Sequence, residues 1–190
     1  MELVSVEQLL TKDIRGCVVC FPTDTVYGVG AIVNDLEAIK KIYDLKERDY
    51  SKPLAILTAS TKLDDYVKNI TPKARKLMDE CWPGALTIIF EKKNIIPDLV
   101  TSNLSTVGFR MPNSKIALQI LNHFGIMATT SVNISGSMPL NDLDTIIKLF
   151  KDKIDYIVTD KESLSHVSST VVNCTTDKIK ILRQGDVVIN

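Results

Sequence analysis

Apolar and polar residues alternate along the chain in a way that predicts strands and helices in turn. Residues 17–21 and 54–57 are short, continuous apolar runs, which are typical of buried strands. Between them, apolar residues at intervals of three and four predict a helix over residues 35–45. Strands and helices alternate early, and the last third is rich in strands. We therefore expect a single α/β domain over residues 1–190, a twisted mixed sheet with helices packed on it.

Capping residues and glycines add further elements. Hydroxyl caps predict a helix over residues 5–14, a helix after Ser60, and a helix after Thr71, where Pro72 occupies the first turn. The glycines within residues 26–30 favour a tight turn or a close approach of backbone to a ligand. The remaining predicted strands are 86–90, 106–112, 127–132, 156–158, 170–174 and 179–182, and the remaining predicted helices are 116–124 and 142–150.

Composition excludes some classes of protein. The chain carries 23 Lys and Arg residues and 23 Asp and Glu residues, so no overall field draws it to nucleic acid, and an anion site must be a local concentration of charge. No apolar run approaches the roughly 20 residues of a membrane span, and the first residues lack the pattern of a signal peptide. We expect a cytoplasmic protein without a membrane partner.

Three cations within seven residues form the strongest local signal. Lys46, Arg48 and Lys52 follow the predicted helix, and Pro53 disfavours helix at the residue before it. A basic loop between a helix and a strand suits a phosphate or carboxylate ligand. A solvated helix end, with cations complementing the macrodipole, is the alternative.

Polar side chains follow several predicted strands, and Arg110 and Arg183 are among them. In open α/β sheets such strand ends collect into one crevice, so we expect a concave basic crevice suited to a nucleotide together with an amino acid. No P-loop motif occurs. Cys17 and Cys20 have the spacing of a zinc-ligand pair, but residues three apart in a strand point to opposite faces and could not easily share a metal. Catalysis is therefore expected to rest on positioning and electrostatics.

Seven motifs in order then resemble one family, the YrdC/TsaC-type threonylcarbamoyl-AMP synthases. The motifs are FPTDTVYGVG at 21–30, KxR at 46–48 with KPL at 52–54, WPGxLT at 82–87, GxRxP at 108–112, SxNxSG at 131–136, STVV at 169–172 and LRQG at 182–185. The resemblance implies a YrdC-like fold of the short form, without the C-terminal domain of longer members. This chain departs from the family pattern at Leu57, where longer members often have a histidine that touches threonine.

The resemblance also implies an activity. L-threonine, bicarbonate or CO2, and ATP give threonylcarbamoyl-AMP and pyrophosphate, a nucleotidyl transfer that begins N6-threonylcarbamoyladenosine modification of tRNA. Mg²⁺ would come with ATP, without assignable ligands. The implied partners are the downstream proteins that transfer the threonylcarbamoyl group to tRNA, and weak tRNA contact is part of the same expectation.

Site residues carry over from the motifs one by one. The implied catalytic residues are Lys46, Arg48, Ser131 and Asn133. The implied ATP contacts are Arg48, Lys52, Thr106, Ser131 and Arg183, and the implied threonine contacts are Thr25, Arg110, Thr129 and Ser169.

Two other readings remain open from the sequence. The first is a module of the same fold that binds structured RNA, which zero net charge disfavours because such binding needs several phosphate contacts. The second is a carbamoyl-adenylate-forming domain like those of hydrogenase maturation proteins, which usually belong to much longer chains.

Overall fold

The apolar runs become the strands of a mixed sheet in a computed structural model that describes residues 1–176 and 178–189. In this part of the chain the sheet has ten strands, in the order β1-β8-β2-β3-β7-β4-β6-β5-β9-β10. The strands are β1 Glu2–Val4, β2 Val19–Phe21, β3 Gly28–Ile32, β4 Ala55–Leu57, β5 Leu86–Glu91, β6 Thr106–Arg110, β7 Met127–Ser131, β8 Tyr156–Val158, β9 Thr170–Asn173 and β10 Lys180–Arg183. The helices are α1 Val6–Leu9, α2 Leu36–Lys46, α3 Pro72–Cys81, α4 Asp98–Thr101, α5 Lys115–Phe124 and α6 Leu143–Phe150.

Parallel and antiparallel pairs are mixed in the centre of this sheet. β7 lies antiparallel to both β3 and β4, while β4 lies parallel to β6, which is antiparallel to β5. At the edges of the sheet, β1/β8 is parallel and β9/β10 is antiparallel, and β5/β9 is parallel. The predicted α/β fold with a mixed sheet is confirmed.

One face of the sheet is buried along its centre. Val29, Ile56, Phe109 and Ala128 belong to four adjacent strands and join one core cluster with side chains of α2 and α3. Because neighbouring residues in a strand point to opposite faces, the residues on either side of these four face the other way. The apolar run at β4 therefore supplies both faces.

The opposite face is covered only in part. Leu57 and Met127 pack there against Ile116 and Ile120 of α5, in a second core cluster that also contains residues of α1. Farther along the same strands this face bears Ala55, which is not in either cluster of buried apolar residues. The uncovered part of the face is where the candidate site lies.

Local capping explains the helices that were predicted correctly. Asp35, Thr71, Ser114 and Asp142 each accept a hydrogen bond from a backbone N–H in the first turn of α2, α3, α5 and α6 respectively. Gly125, at φ +84°, ends α5 as expected. Periodicity and caps together were sufficient for these four helices.

Two helix predictions were wrong in extent. Ser5 forms a capping box with Gln8, but the helix stops at Leu9, because Lys12 and Asp13 stand where its apolar face would continue. The helix predicted to begin after Ser60 does not form, because residues 61–70 contain no helix. Leu63 and Val67 are buried there at helical spacing, but in turns, and Val67 forms an isolated bridge with Lys92.

Three other features differ from the prediction, and the first two depend on contacts between residues distant in sequence. β1 was missed because Glu2 and Leu3 are exposed, and its pairing with β8 joins residues about 154 positions apart. The glycines within residues 26–30 lie in β3 and not in a tight turn. The polar character of residues 92–103 predicts a connection without a helix, but the short helix α4 lies within it.

The second helix stops well before Pro53. Glu47 adopts the left-handed conformation at φ +50°, and the N–H of Arg48 donates to Tyr43 O at 2.9 Å, which closes the helix end. Lys46 is therefore the last helical residue and not part of a loop. Across the described residues, the longest helices are too short and too polar to span a bilayer.

Candidate active site

A cavity of about 280 Å³ opens on the uncovered part of the sheet face. Its floor is a row of small residues on adjacent strands, since Ala55 of β4 lies directly opposite both Thr129 of β7 and Gly108 of β6. Directly opposed residues share a face, so three short side chains in a row leave a trough. The crevice was expected at the ends of strands. It lies instead on the sheet itself, because the site residues alternate within β6 and β7.

Eight of the eleven predicted site residues line this cavity: Thr25, Arg48, Thr106, Arg110, Thr129, Ser131, Ser169 and Arg183. The lining also contains apolar residues, including Leu54, Leu57, Leu104 and Ile89, and none of the described residues in it carries a carboxylate. Three guanidinium groups therefore face one largely apolar cavity. Lys46, Lys52 and Asn133 are outside the lining.

Arg110, at the end of β6, is 6% exposed and is held by three groups. Its Nε donates to Gly84 O at 2.9 Å, and its Nη1 donates to Thr25 Oγ1 at 2.8 Å. Its Nη2 forms an ion pair with Asp24 Oδ1. Burial lowers the pKa of Arg110, and the charge of Asp24 opposes that change. This arginine is fixed in position before any ligand arrives.

Arg183, from the exposed strand β10, reaches the cavity through Ser169. Its Nε and Nη2 donate to Ser169 O at 3.0 and 2.8 Å, and Nη2 lies 3.1 Å from Ser169 Oγ. Ser169 Oγ also lies 2.9 Å from Thr87 Oγ1. The backbone of Gly185 packs so closely on Ser169 that a Cβ there would lie 2.5 Å from its carbonyl carbon. The turn at the end of β10 therefore needs glycine.

The glycines of β3 make room for Thr129. A Cβ on Gly30 would lie 2.7 Å from Thr129 Oγ1, and one on Gly28 would lie 3.0 Å from Thr129 Cγ2. The close approach was predicted to be to a ligand, whereas in the structure it is to a side chain of the neighbouring strand. Thr129 is held between the two strands with its side chain at the cavity wall.

Arg48 holds the loop after α2 in shape. Its Nε donates to Lys52 O at 3.0 Å, and its Nη2 donates to Pro53 O at 2.9 Å. Burial lowers its pKa. Lys52 itself is exposed and lies outside the cavity lining, so the loop brings its backbone to Arg48 and leaves its ammonium in solvent.

Lys46 is 1% exposed and lies behind the cavity wall. Its Nζ donates to Ser131 O at 2.5 Å, Asn133 O at 2.8 Å and Asn133 Oδ1 at 2.9 Å. Asn133 Oδ1 also accepts from Ser131 Oγ at 2.6 Å. Burial, with the nearby charge of Arg48, lowers the pKa of Lys46 to about 7. The KxR and SxN motifs are therefore joined through one buried ammonium.

Sequence reasoning overlooked two polar residues of this region. Asp24 and Thr87 lie within quoted motifs, but neither was assigned a role. The signal that could have identified Asp24 is a carboxylate between the small hydroxyl residues of 22–25, since a buried carboxylate needs a cation as its partner. Within the residues described, no group of three or more His, Cys, Asp or Glu side chains is placed to hold a metal ion.

Comparison with known proteins identifies the family. The sequence model of the Sua5/YciO/YrdC family, which carries the description telomere recombination, matches residues 14–185. This chain belongs to the Sua5/YciO/YrdC family. The membership predicted from the seven motifs is confirmed.

Relatives within the family differ in length. A threonylcarbamoyl-AMP synthase from Pyrococcus abyssi is 37% identical over 173 residues, which cover 90% of this chain and 51% of that protein. A putative threonylcarbamoyl-AMP synthase from Methanocaldococcus jannaschii is 33% identical over 189 residues, covering 99% of this chain and 89% of that protein. The chain thus spans about half the length of the P. abyssi relative and most of the other.

A solved structure in the family has the same fold. P. abyssi Sua5 complexed with L-threonine matches with a TM-score of 0.91 at 32% identity, covering 97% of this chain and 58% of that one. The agreement extends across the sheet that carries the cavity, because nearly the whole chain is included.

Proposed function

We propose that this chain is a threonylcarbamoyl-AMP synthase, which makes threonylcarbamoyl-AMP and pyrophosphate from L-threonine, bicarbonate or CO2, and ATP. The observation that supports this most is the cavity itself. Arg48, Arg110 and Arg183 line it together with hydroxyl groups, and its lining contains no carboxylate. A relative with the same fold, P. abyssi Sua5, is complexed with L-threonine.

Arg110 is the group proposed to bind the threonine carboxylate. A guanidinium can hold a carboxylate through two parallel hydrogen bonds, and three of its five N–H groups are used within the protein, which leaves two. Thr25, Thr129 and Ser169 supply hydroxyls at the same cavity for the substrate's own hydroxyl and carboxylate. These residues are buried, so hydrogen bonds made there are shielded from water.

Arg48 and Arg183 are proposed to hold the triphosphate, with Thr106 and Ser131 as neutral contacts. Lys52 is also proposed to contact ATP, but its side chain must first move towards the cavity, because its ammonium is exposed. Lys46 and Asn133 act indirectly, by fixing the strand end that carries Ser131. Mg²⁺ is proposed to enter bound to the phosphates of ATP, since the lining supplies no carboxylate.

The reaction has two bond-forming steps. The threonine amine attacks CO2, forms a C–N bond and loses a proton, which gives a carbamate. A carbamate oxygen then attacks the α-phosphorus of ATP, and the bond from that phosphorus to the bridging oxygen breaks as pyrophosphate leaves. Guanidinium groups at the phosphates stabilise the charge that develops there, and the fixed arginines supply this without reorganisation.

Pyrophosphate release tests the proposal. The protein is incubated with ATP, Mg²⁺ and bicarbonate, with each amino acid in turn and with none. Release should depend on threonine, with serine weaker by roughly tenfold and valine weaker still, because valine leaves buried hydroxyls unpaired. Release that is independent of the amino acid, or no release with threonine, would contradict the synthase. Transfer proteins as partners, weak tRNA contact and a cytoplasmic location remain parts of this proposal.

A further inference from the structure

Asp24 is a buried carboxylate that the proposed chemistry does not use. It forms an ion pair with Arg110, and the side chains are 16% and 7% exposed respectively. Arg110 lines the cavity, whereas Asp24 is absent from the lining, so the carboxylate approaches the guanidinium from behind the wall. Its backbone oxygen also accepts from the N–H of Ser165 at 2.9 Å, which fixes the residue in place.

The same end of the cavity carries a second guanidinium. Arg183 is close enough for its charge to contribute to lowering the pKa of Arg110, after burial as the main cause. Among residues 1–176 and 178–189, Arg183 has no carboxylate oxygen within 4.0 Å, and its guanidinium is bound to Ser169. Among the described residues, Asp24 is thus the carboxylate in direct contact with Arg110, and the exposed Asp186 acts on Arg110 only at longer range.

From this ion pair we infer that Asp24 is a specificity-determining residue, which limits Arg110 to a singly charged carboxylate and leaves phosphate-like dianions to Arg183 and Arg48. This rests on the proposed function, in which one cavity must bind both a triphosphate and an amino acid without exchanging their positions. Asp24 acts through Arg110 and is thus a positioning residue that does not touch the substrate.

Coulomb's law gives the expected selectivity. Removing one negative charge beside the site strengthens its attraction for a dianion twice as much as for a monoanion, since the energy scales with the product of the charges. Without Asp24 this end would carry two unneutralised guanidinium groups. It would then attract sulfate or the phosphates of ATP in competition with threonine.

The test compares wild type with Asp24→Asn. The amide has the shape of the carboxylate and keeps an oxygen for Arg110 Nη2, so the arginine retains a partner. Threonine binding is measured by calorimetry at several sulfate concentrations and constant ionic strength, and sulfate binding is measured alone. In Asp24→Asn we expect sulfate to bind about tenfold more tightly and to compete with threonine, while intrinsic threonine affinity changes by about threefold, the square root of the sulfate effect.

Asp186→Asn is the matched control. The charge of Asp186 also raises the pKa of Arg110, after the larger effects of burial, Asp24 and Arg183. Among the described residues Asp186 forms no ion pair with Arg110, and its side chain is exposed. Its substitution should change sulfate affinity less than about twofold, because an exposed charge is screened by solvent. A sulfate effect as large as that of Asp24→Asn would overturn the role of the direct ion pair.

Other outcomes also decide. Threonine affinity that falls while sulfate binding is unchanged would show that Asp24 only orients Arg110, and unchanged binding of both would show a purely structural residue. If Asp24→Asn does not fold, Asp24→Ser removes the same charge with a smaller side chain and should bind sulfate as tightly as expected for Asp24→Asn. In either background, adding Arg183→Gln should return sulfate affinity to the wild-type value, because one unneutralised guanidinium again remains. If wild type does not bind threonine, the proposed synthase activity is contradicted. The comparison of wild type with Asp24→Asn can still be made, because sulfate binding is measured without an amino acid.

Discussion

Two buried cations near the cavity, Lys46 and Arg110, have opposite surroundings. Lys46 Nζ is bound to three oxygens of neutral carbonyl groups, from Ser131 and Asn133. Arg110 is paired with a carboxylate and lines the cavity. The lysine joins the end of α2 to the end of β7, and the arginine faces the space where a ligand would lie. Cations from two motifs of one site thus have different roles, one structural and one proposed to bind ligand.

The accounts of the two cations differ in their consequences. Loss of Lys46 should leave carbonyl oxygens without donors and act through folding, whereas a change at Arg110 that keeps its charge should act through ligand geometry. Stability and ligand affinity therefore separate the two residues, and three experiments test that separation.

The largest effect is expected for Arg110→Lys. The ammonium keeps the charge beside Asp24 but loses the planar fork, so threonine affinity should fall by roughly 10- to 100-fold, or about 1.5–3 kcal/mol. ATP affinity should change little. Calorimetric titration with each ligand is the measurement, and weakened ATP binding with unchanged threonine binding would reverse the proposed roles.

A smaller effect is expected for Lys46→Met, and it should appear in stability. The thioether fills similar volume, but Ser131 O and Asn133 O lose their donor, which costs roughly 1–3 kcal/mol in the free energy of unfolding. Lys52→Met is the matched control, since Lys52 is an exposed lysine of the same region and its substitution should change stability by less than about 0.5 kcal/mol. Urea denaturation measures both, and equal values would remove the structural role of Lys46.

The smallest effect, when it is taken per pH unit, is on the pH dependence of stability. Burial lowers the pKa of Lys46 to about 7, below its value in the unfolded chain. Above pH 7 the unfolded chain therefore binds more protons at this residue, and its contribution to stability rises with pH, by up to about 1.4 kcal/mol per unit. The difference in unfolding free energy between wild type and Lys46→Met should grow from pH 7 to pH 9. A constant difference would mean that the three carbonyl oxygens keep the ammonium charged.

The sequence by itself determined the types of the main elements, and it determined the family. Caps at Asp35, Thr71 and Asp142 and apolar periodicity depend on residues within a few positions, so the helices α2, α3 and α6 were predictable from local patterns. The seven motifs were also visible in the sequence, and six of the predicted site residues within them line one cavity, together with Thr106 and Thr129, which lie just before two of the motifs.

Only the tertiary structure decided which of those residues line the cavity and which support it from behind. The contact from Lys46 to Asn133 spans 87 positions, and the pair of Asp24 with Arg110 spans 86. Register across strands set Gly30 beside Thr129 and Ala55 beside Gly108, which made the floor of the cavity. Such contacts arise when distant strands pair, and no local preference encodes them. A lysine of a basic motif can therefore be a buried tie between two elements, while an unassigned aspartate can set the charge of the site.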